Sequence, residues 1–226
     1  MVGKFAFILG VVYNILEVSF KLTSSHYMEN KPNKGQYVEI LLRSPRTIFS
    51  TKDVALMWGV EAENTVRVRL NSYVKSGKLI RIYRGIYAKD KNYNRFELAT
   101  RIYTPSYISF ETVLTREGIN FQYYGNFFVA TYVTRDIEVA DQRISFVRMK
   151  DYVLSNTTGI EHENGIAMAT KERAFLDRIY ISKDYHFDNL DALDWKKVFE
   201  ILPIYHNKRM IKKVKMYYDY NKNTNL

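Results

Sequence analysis

The chain has 226 residues, of which 46% are hydrophobic and 15% aromatic, so it can form one large domain or two modest ones. It contains no cysteine, which excludes disulfides, thiolate catalysis and every cysteine-based metal site. None of its four histidines lies at ligand spacing from another, so no metal site and no cofactor are expected. The formal net charge of +10 favours an acidic partner, such as nucleic acid or an anionic membrane surface.

The positive charge is concentrated at the two ends of the chain. Residues 28–89 hold twelve Lys and Arg against five Asp and Glu, and residues 206–226 hold six against one. The intervening residues 90–205 hold fourteen against seventeen, which makes the middle mildly acidic. Clustered basic residues are typical of a surface that binds a polyanion, so both ends are candidate nucleic-acid contacts.

The first residues do not allow a single interpretation. Residues 5–13 form an apolar run behind a lysine, as in a signal peptide, but polar residues soon interrupt it and no small-x-small cleavage site follows. An upstream extension from a misplaced start, an extra packing helix and a membrane signal all stay open for residues 1–27. Residues 29–35 are polar and rich in turn formers, so we assign residues 1–34 to an N-terminal extension that ends in a linker.

Residues 35–89 predict a winged helix-turn-helix, a small DNA-binding domain. Helices are expected at residues 36–43, 51–58 and 64–76, with a short strand at residues 47–49. Ser50 or Thr51 is a suitable N-cap for the second helix, and Gly59 is suited to the left-handed conformation that ends it. The stop and start signals therefore agree with the apolar spacing.

Two runs of β-prone residues complete this module. Residues 78–83 and 86–88 flank a turn at Arg84 and Gly85, and they predict the hairpin that forms a wing. The order of helix, strand, helix, turn, helix and hairpin is more specific than any one element.

Residues 90–226 are predicted to form a mixed α/β domain that ends in a basic helix, which makes the whole chain α+β. Helices are expected at residues 95–103, 106–118, 170–180, 194–202 and 207–220, and strands at residues 127–134 and 143–153, with a looser strand and turn region at residues 159–167. Ser106 or Ser109 is the expected cap of the second of these helices.

Charged residues on the last helices have a structural and a functional interpretation. Glu172, Arg173 and Asp177 could indicate acid–base or metal chemistry, but a helix favours an acid in its first turn and an ion pair at i, i+4. We therefore expect Arg173 to pair with Asp177. The predicted buried stripe of the terminal helix is Met210, Ile211, Val214 and Tyr217. Its basic residues are either a solvated face or a second DNA contact.

The third helix of the winged module is the expected recognition helix, because the second helix of a helix-turn-helix pair lies in the major groove. Its candidate DNA-binding residues are Asn64, Thr65, Arg67, Val68, Asn71 and Lys75. Asn and Arg can contact adenine and guanine edges in bidentate fashion, whereas Lys75 and Thr65 suit phosphates. Arg69 is expected nearer the core. The alternative is a solvated polar helix face.

The wing contributes three further candidates for DNA binding. Arg81, Arg84 and Lys78 could reach the phosphates or the minor groove beside the recognition helix. The alternative is that these basic residues protect an edge strand from aggregation.

Three phrases of the sequence resemble one known family. They are GKLIRIYRGIY at residues 77–87, YISFETVLTREGI at residues 107–119 and IAMATKERAFLD at residues 166–177. In this order they resemble the AbiEi antitoxin family of type IV toxin–antitoxin systems, over residues 37–180. The third phrase has Thr170 and Lys171 where that family commonly has a Ser-Pro pair.

The resemblance implies a winged-helix domain that represses its own operon at inverted repeats in double-stranded DNA, followed by a C-terminal α/β antitoxin domain. It also implies a functional partner, a nucleotidyltransferase-like toxin, which the antitoxin opposes without a stable complex. On this basis we predict a cytoplasmic protein that is not an enzyme and does not bind a membrane.

Two other functions stay open. One is a ligand-responsive winged-helix repressor. The other is a DNA-binding nuclease with a C-terminal catalytic domain, because Asp136 and Glu138 alternate as on a metal-dependent nuclease strand. No lysine follows in the usual Glu-x-Lys arrangement, so a plain hairpin is favoured there.

Overall fold

The computed structural model describes residue 33, residues 35–182 and residues 184–224, which form an α+β structure with two sheets. The predicted fold class is confirmed. The interpretations of residues 1–27 concern a segment outside the described residues. Within the described ranges, every helix is too short or too polar to cross a bilayer.

Residues 36–88 form a unit that we call the N-terminal module. Its elements are α1 (Gln36–Arg43), β1 (Ile48–Ser50), α2 (Thr51–Trp58), α3 (Glu63–Lys75), β2 (Ile80–Tyr83) and β3 (Ile86–Ala88). Strand β3 lies between β1 and β2 and pairs antiparallel with both. This is the element order that a winged helix-turn-helix requires, and each helix begins and ends within one residue of its predicted position.

Local side chains determine where α2 begins and ends. Ser50 Oγ accepts a hydrogen bond from the Asp53 N–H at 3.1 Å, and the Asp53 carboxylate accepts one from the Ser50 N–H at 2.9 Å. This capping box satisfies two amide donors at the helix start. Gly59 has φ 61° and ψ 34°, where a residue with a Cβ would be strained. Of the two predicted caps, Ser50 is therefore the one used.

The core of the module fixes α3 against the other helices. Val66 and Leu70 of α3 are fully buried in a cluster with Val54 and Trp58. The Trp58 ring packs edge-on against Tyr37, with 5.1 Å between ring centroids, and its Nε1 donates to the Tyr37 carbonyl oxygen at 2.8 Å. Each large apolar side chain buried in this way contributes about 1.5–3 kcal/mol. The opposite face of α3 is left to the solvent.

The remaining elements surround a larger sheet. They are α4 (Arg95–Ile102), β4 (Tyr107–Ile108), α5 (Glu111–Arg116), β5 (Asn126–Thr131), β6 (Arg135–Val139), β7 (Gln142–Arg148), α6 (Asp151–Leu154), β8 (Ile160–Glu163), β9 (Ile166–Ala169), α7 (Lys171–Ile181), α8 (Trp195–Ile201), a 3-10 turn (Leu202–Tyr205) and α9 (Lys208–Thr224). The strand order is β6-β7-β5-β4-β9-β8. Strands β5 and β7 are parallel, as are β4 and β9, and the other neighbours are antiparallel. The division of the chain into domains at residue 89 stays a prediction.

A fully buried ion pair lies on α7. Arg173 Nε donates to Asp177 Oδ1 at 3.2 Å, which confirms the predicted i, i+4 pair. The guanidinium also donates to the Tyr107 hydroxyl at 3.0 Å and to the carbonyl oxygens of Val153 and Thr158, both at 2.8 Å. A charged group that is buried away from water is stable only when its donors are paired. Through these hydrogen bonds the arginine joins α7 to three other segments.

Asp177 is satisfied from two further sides. The Tyr205 hydroxyl donates to it at 2.7 Å and the Ser109 hydroxyl at 2.8 Å. Burial raises the pKa of Tyr205 well above its ordinary value, and the negative charge of Asp177 adds to the rise. The phenol therefore stays protonated and remains a donor to the carboxylate.

The sequence predictions for this part were wrong at two places. The helix expected at residues 106–118 begins late, because its first residues form β4 between β5 and β9. Neither expected serine caps it, and the Ser109 side chain binds Asp177 instead. The strand expected at residues 143–153 ends at Arg148, where α6 follows after two residues. In both cases, contacts with distant segments override the local residue pattern.

Two smaller predictions have different outcomes. Strands β6 and β7 pair antiparallel across a short turn, so the hairpin interpretation of Asp136 and Glu138 is confirmed. In α9, three of the four predicted apolar residues pack against the core, but Ile211 is 37% exposed, so its place in the stripe was wrong.

Replacing Arg173 by methionine should lower the free energy of unfolding by about 3–5 kcal/mol, because Asp177 would be left buried without its counter-charge. Chemical denaturation followed by circular dichroism measures this loss. The control is Arg43→Met, which removes an 81% exposed arginine from an i, i+4 pair with Glu39 and should cost less than about 1 kcal/mol. Similar losses in the two variants would contradict a special role for the buried network.

Candidate nucleic-acid interface

The six candidate residues on α3 are all exposed. They are Asn64, Thr65, Arg67, Val68, Asn71 and Lys75. Val68 is 69% exposed although Val66 and Leu70 on the same helix are completely buried. The helix thus presents polar, basic and apolar groups together on one face, and these suit base edges, phosphates and thymine methyl groups.

Neighbouring arginines on α3 have different surroundings. The guanidinium of Arg69 lies 3.8 Å from the centroid of the Tyr37 ring, which holds it on the core side as predicted. Arg67 is exposed, and its Nη2 donates to Glu63 Oε1 at 2.9 Å. Exposed pairs of this kind are weak, so Arg67 can exchange the carboxylate for a phosphate or a guanine edge.

The turn between β2 and β3 is attached to the start of α2. The N–H and the hydroxyl of Thr51 both donate to the Gly85 carbonyl oxygen, at 3.0 and 3.3 Å. Gly85 has φ 75°, which the turn requires and which favours glycine. The adjacent Arg84 and the strand residue Arg81 are exposed, as is Lys78 at the base of the hairpin. The hydrogen bonds therefore fix the position of the arginine-bearing turn relative to α2.

A groove of about 520 Å³ lies between α3, this turn, the start of α2 and the end of α4. Its basic lining residues are Lys52, Arg67, Arg81, Arg84 and Arg101. The candidates predicted from sequence that line it are Arg67, Asn71, Arg81 and Arg84. They face one acidic lining residue, Glu63, so the groove is strongly cationic. The other five candidates lie on the exposed surface outside it.

Residues 36–88 match a family model described as "Transcriptional regulator, AbiEi antitoxin". The AbiEi resemblance is thereby confirmed over these residues. The matched segment is the whole N-terminal module, so it is this module that is similar to AbiEi antitoxin transcriptional regulators. No curated protein matches the chain.

Two basic groove residues were missed from the sequence. Lys52 lies in the first turn of α2, where the helix dipole disfavours a cation, and this unfavourable position was a local signal of function. Arg101 belongs to α4, outside the N-terminal module, and no local pattern places it beside α3. Only the packing of the two sheets brings it there.

The walls of the groove are joined by two carboxylates, that of Asp53, whose side chain is 14% exposed, and that of the buried Glu97. Asp53 Oδ1 accepts from Arg101 Nη1 at 3.1 Å and from Arg46 Nη1 at 3.3 Å. Glu97 Oε2 accepts from the N–H and the hydroxyl of Thr47, at 2.9 and 2.7 Å. Asp53 belongs to the N-terminal module and binds a residue of α4, whereas Glu97 belongs to α4 and binds a residue of the module. The groove is therefore a feature of the assembled chain rather than of the module alone.

The basic residues of α9 do not line this groove. Lys208, Arg209, Lys212 and Lys215 are exposed, and Lys213 Nζ lies 3.8 Å from Asp184 Oδ1. A second DNA contact on α9 therefore stays a prediction. No group of three or more His, Asp or Glu within the described ranges is arranged to hold a metal ion.

Replacing Arg84 by alanine should reduce the steepness with which duplex binding falls with salt. A residue that neutralises one phosphate contributes about one unit to the slope of log Kobs against log salt. Fluorescence anisotropy with a promoter duplex between about 50 and 200 mM salt measures the slope. Arg116→Ala, an exposed arginine of α5 outside the groove, is the control and should leave the slope unchanged. An unchanged slope for Arg84→Ala would remove this residue from phosphate binding.

Proposed function

We propose that the protein is a cytoplasmic antitoxin of a type IV toxin–antitoxin system that also binds DNA and represses its own operon. Its functional partner is a nucleotidyltransferase-like toxin, opposed without a stable complex. The observation that carries the proposal is that the segment matched to the AbiEi antitoxin regulators also carries the exposed polar and basic face of α3 and four of the five basic residues that line the groove.

In the proposed complex, α3 lies in the major groove of an inverted repeat in the promoter. Arg67 and Asn71 contact base edges, and Thr65 and Lys75 contact phosphates at the groove margin. Arg81 and Arg84 meet the neighbouring backbone from the β2–β3 turn. The attachment of that turn to Thr51 places these charges before DNA arrives, which lowers the entropic cost of binding.

The second and third phrases of the AbiEi resemblance lie outside the matched segment, and their contacts support the antitoxin part of the proposal. Tyr107 and Ser109 from the second phrase bind Arg173 and Asp177 from the third. Strands β4 and β9, which also contain phrase residues, are neighbours in the large sheet. Residues separated by 66 and 68 positions thus form one core, as a single antitoxin domain requires.

Base-reading and phosphate-binding residues of α3 should differ in their sequence selectivity. Arg67→Ala or Asn71→Ala should weaken binding to the promoter about tenfold or more, and binding to random duplex much less, because a bidentate base contact contributes about 1–3 kcal/mol of discrimination. Lys75→Ala should weaken both similarly. The measurement is anisotropy with the two duplexes at one salt concentration, with Arg43→Ala on α1 as control. Equal losses on both duplexes would exclude Arg67 and Asn71 from base readout.

The operator and the toxin partner are tested separately. A footprint of the purified chain on its own promoter should protect an inverted repeat, and a nucleotidyltransferase-like reading frame should lie immediately downstream. Co-expression with that gene should restore growth, whereas affinity purification should recover no stable toxin complex. A promoter without protection would overturn the regulator, and growth arrest despite co-expression would overturn the antitoxin.

A further inference from the structure

The cationic groove has the size of a small-molecule site. Part of its lining is formed by Thr51, Ile86 and Tyr87, which are all buried in the protein. Its volume of about 520 Å³ lies within the range of about 300–1,000 Å³ that is typical of small-molecule sites. A molecule of nucleotide size therefore fits within it.

The wall opposite α3 comes from the large-sheet part of the chain. It contains Ile102 and Thr104 at the end of α4 and Tyr132 after β5. The Tyr132 ring is 42% exposed, and it packs edge-on against Tyr103 with 6.0 Å between ring centroids. Tyr132 and Ile102 thus offer an aromatic and apolar surface to a flat heterocycle, as in sites where bases stack on aromatic side chains.

Helix α3 and the β2–β3 hairpin, on the other side of the groove, offer groups that bind phosphate. Arg67 on α3 and Arg81 and Arg84 on the hairpin carry planar guanidiniums that can bind phosphate oxygens in bidentate fashion. Lys52 adds a further charge at the start of α2. One site therefore combines several cations with an aromatic surface, which is the combination that a nucleoside polyphosphate requires.

We propose that this groove binds a nucleoside triphosphate, with the phosphates on the arginines and the base against Tyr132. Ligand and promoter duplex then exclude each other, because both need Arg67, Arg81 and Arg84. The regulatory consequence rests on the proposed function, whereas binding of the nucleotide does not. A rise in nucleotide concentration would release the operator.

Calorimetry on the full chain tests the site, with the four common ribonucleoside triphosphates titrated singly and inorganic triphosphate titrated alongside. Tyr132→Ala should weaken the tightest nucleotide about tenfold, because base stacking is lost, and should leave inorganic triphosphate unchanged. Arg84→Glu should weaken both ligands by more than tenfold. The control is Tyr123→Ala, which removes an 83% exposed tyrosine outside the groove and should have no effect.

Two results of this titration would overturn the site. The first is that none of the four nucleotides binds at millimolar concentration in dilute salt. The second is that nucleotides and inorganic triphosphate bind alike and Tyr132→Ala changes neither, which would mean a non-specific attraction of polyanions.

Competition tests the regulatory step. Saturating nucleotide should raise the apparent Kd for a labelled promoter duplex at least tenfold relative to sodium chloride of equal ionic strength. A duplex that stays bound at nucleotide saturation would refute the shared groove. If the duplex binds and no nucleotide does, this inference fails and the proposed function stands. If the duplex does not bind at all, the proposed function fails, and the calorimetry still decides the nucleotide site.

Discussion

The carboxylate of Asp53 holds together the parts of the molecule that surround the groove. It closes the capping box of α2 and accepts hydrogen bonds from Arg46 and from Arg101 of α4. The Asp53 side chain is only 14% exposed, so a displacement of α4 from α2 would leave a mostly buried charge with fewer donors. Thr47 and Glu97 form a second link of the same kind. Helix α3 is therefore held in a fixed position relative to the large sheet.

The same constraint bears on both proposals, because the duplex and the nucleotide would share one basic surface. The exposed face of α3 and the arginines of the β2–β3 turn suit a duplex, whose phosphates and base edges are met at the surface. The aromatic and apolar surface comes instead from the far wall of the groove, where Tyr132 and Ile102 lie. Because the turn is attached to Thr51 and the far wall to Asp53, neither side needs to be ordered when a ligand binds.

The large sheet shows why charged motif residues need not indicate catalysis. Arg173 and Asp177 lie in one of the phrases that carry the AbiEi resemblance, and both are fully buried. Their hydrogen-bonding capacity is used by Tyr107, Ser109 and Tyr205 and by main-chain carbonyls. Charged residues in such a phrase can thus meet the requirements of a core, since a buried charge needs a partner for each of its donors and acceptors.

The sequence by itself determined the local features of this protein. The bounds of α1, α2 and α3, the Ser50 cap and the end of α2 at Gly59 depend on residues within about one helical turn of each other, and so does the exposed face of α3. Tertiary structure alone decided that residues at the start of an apparent helix form β4, that Ser109 binds a carboxylate, and that Arg101 and Tyr132 line the groove. These outcomes depend on contacts between segments far apart in the chain, which local periodicity does not encode.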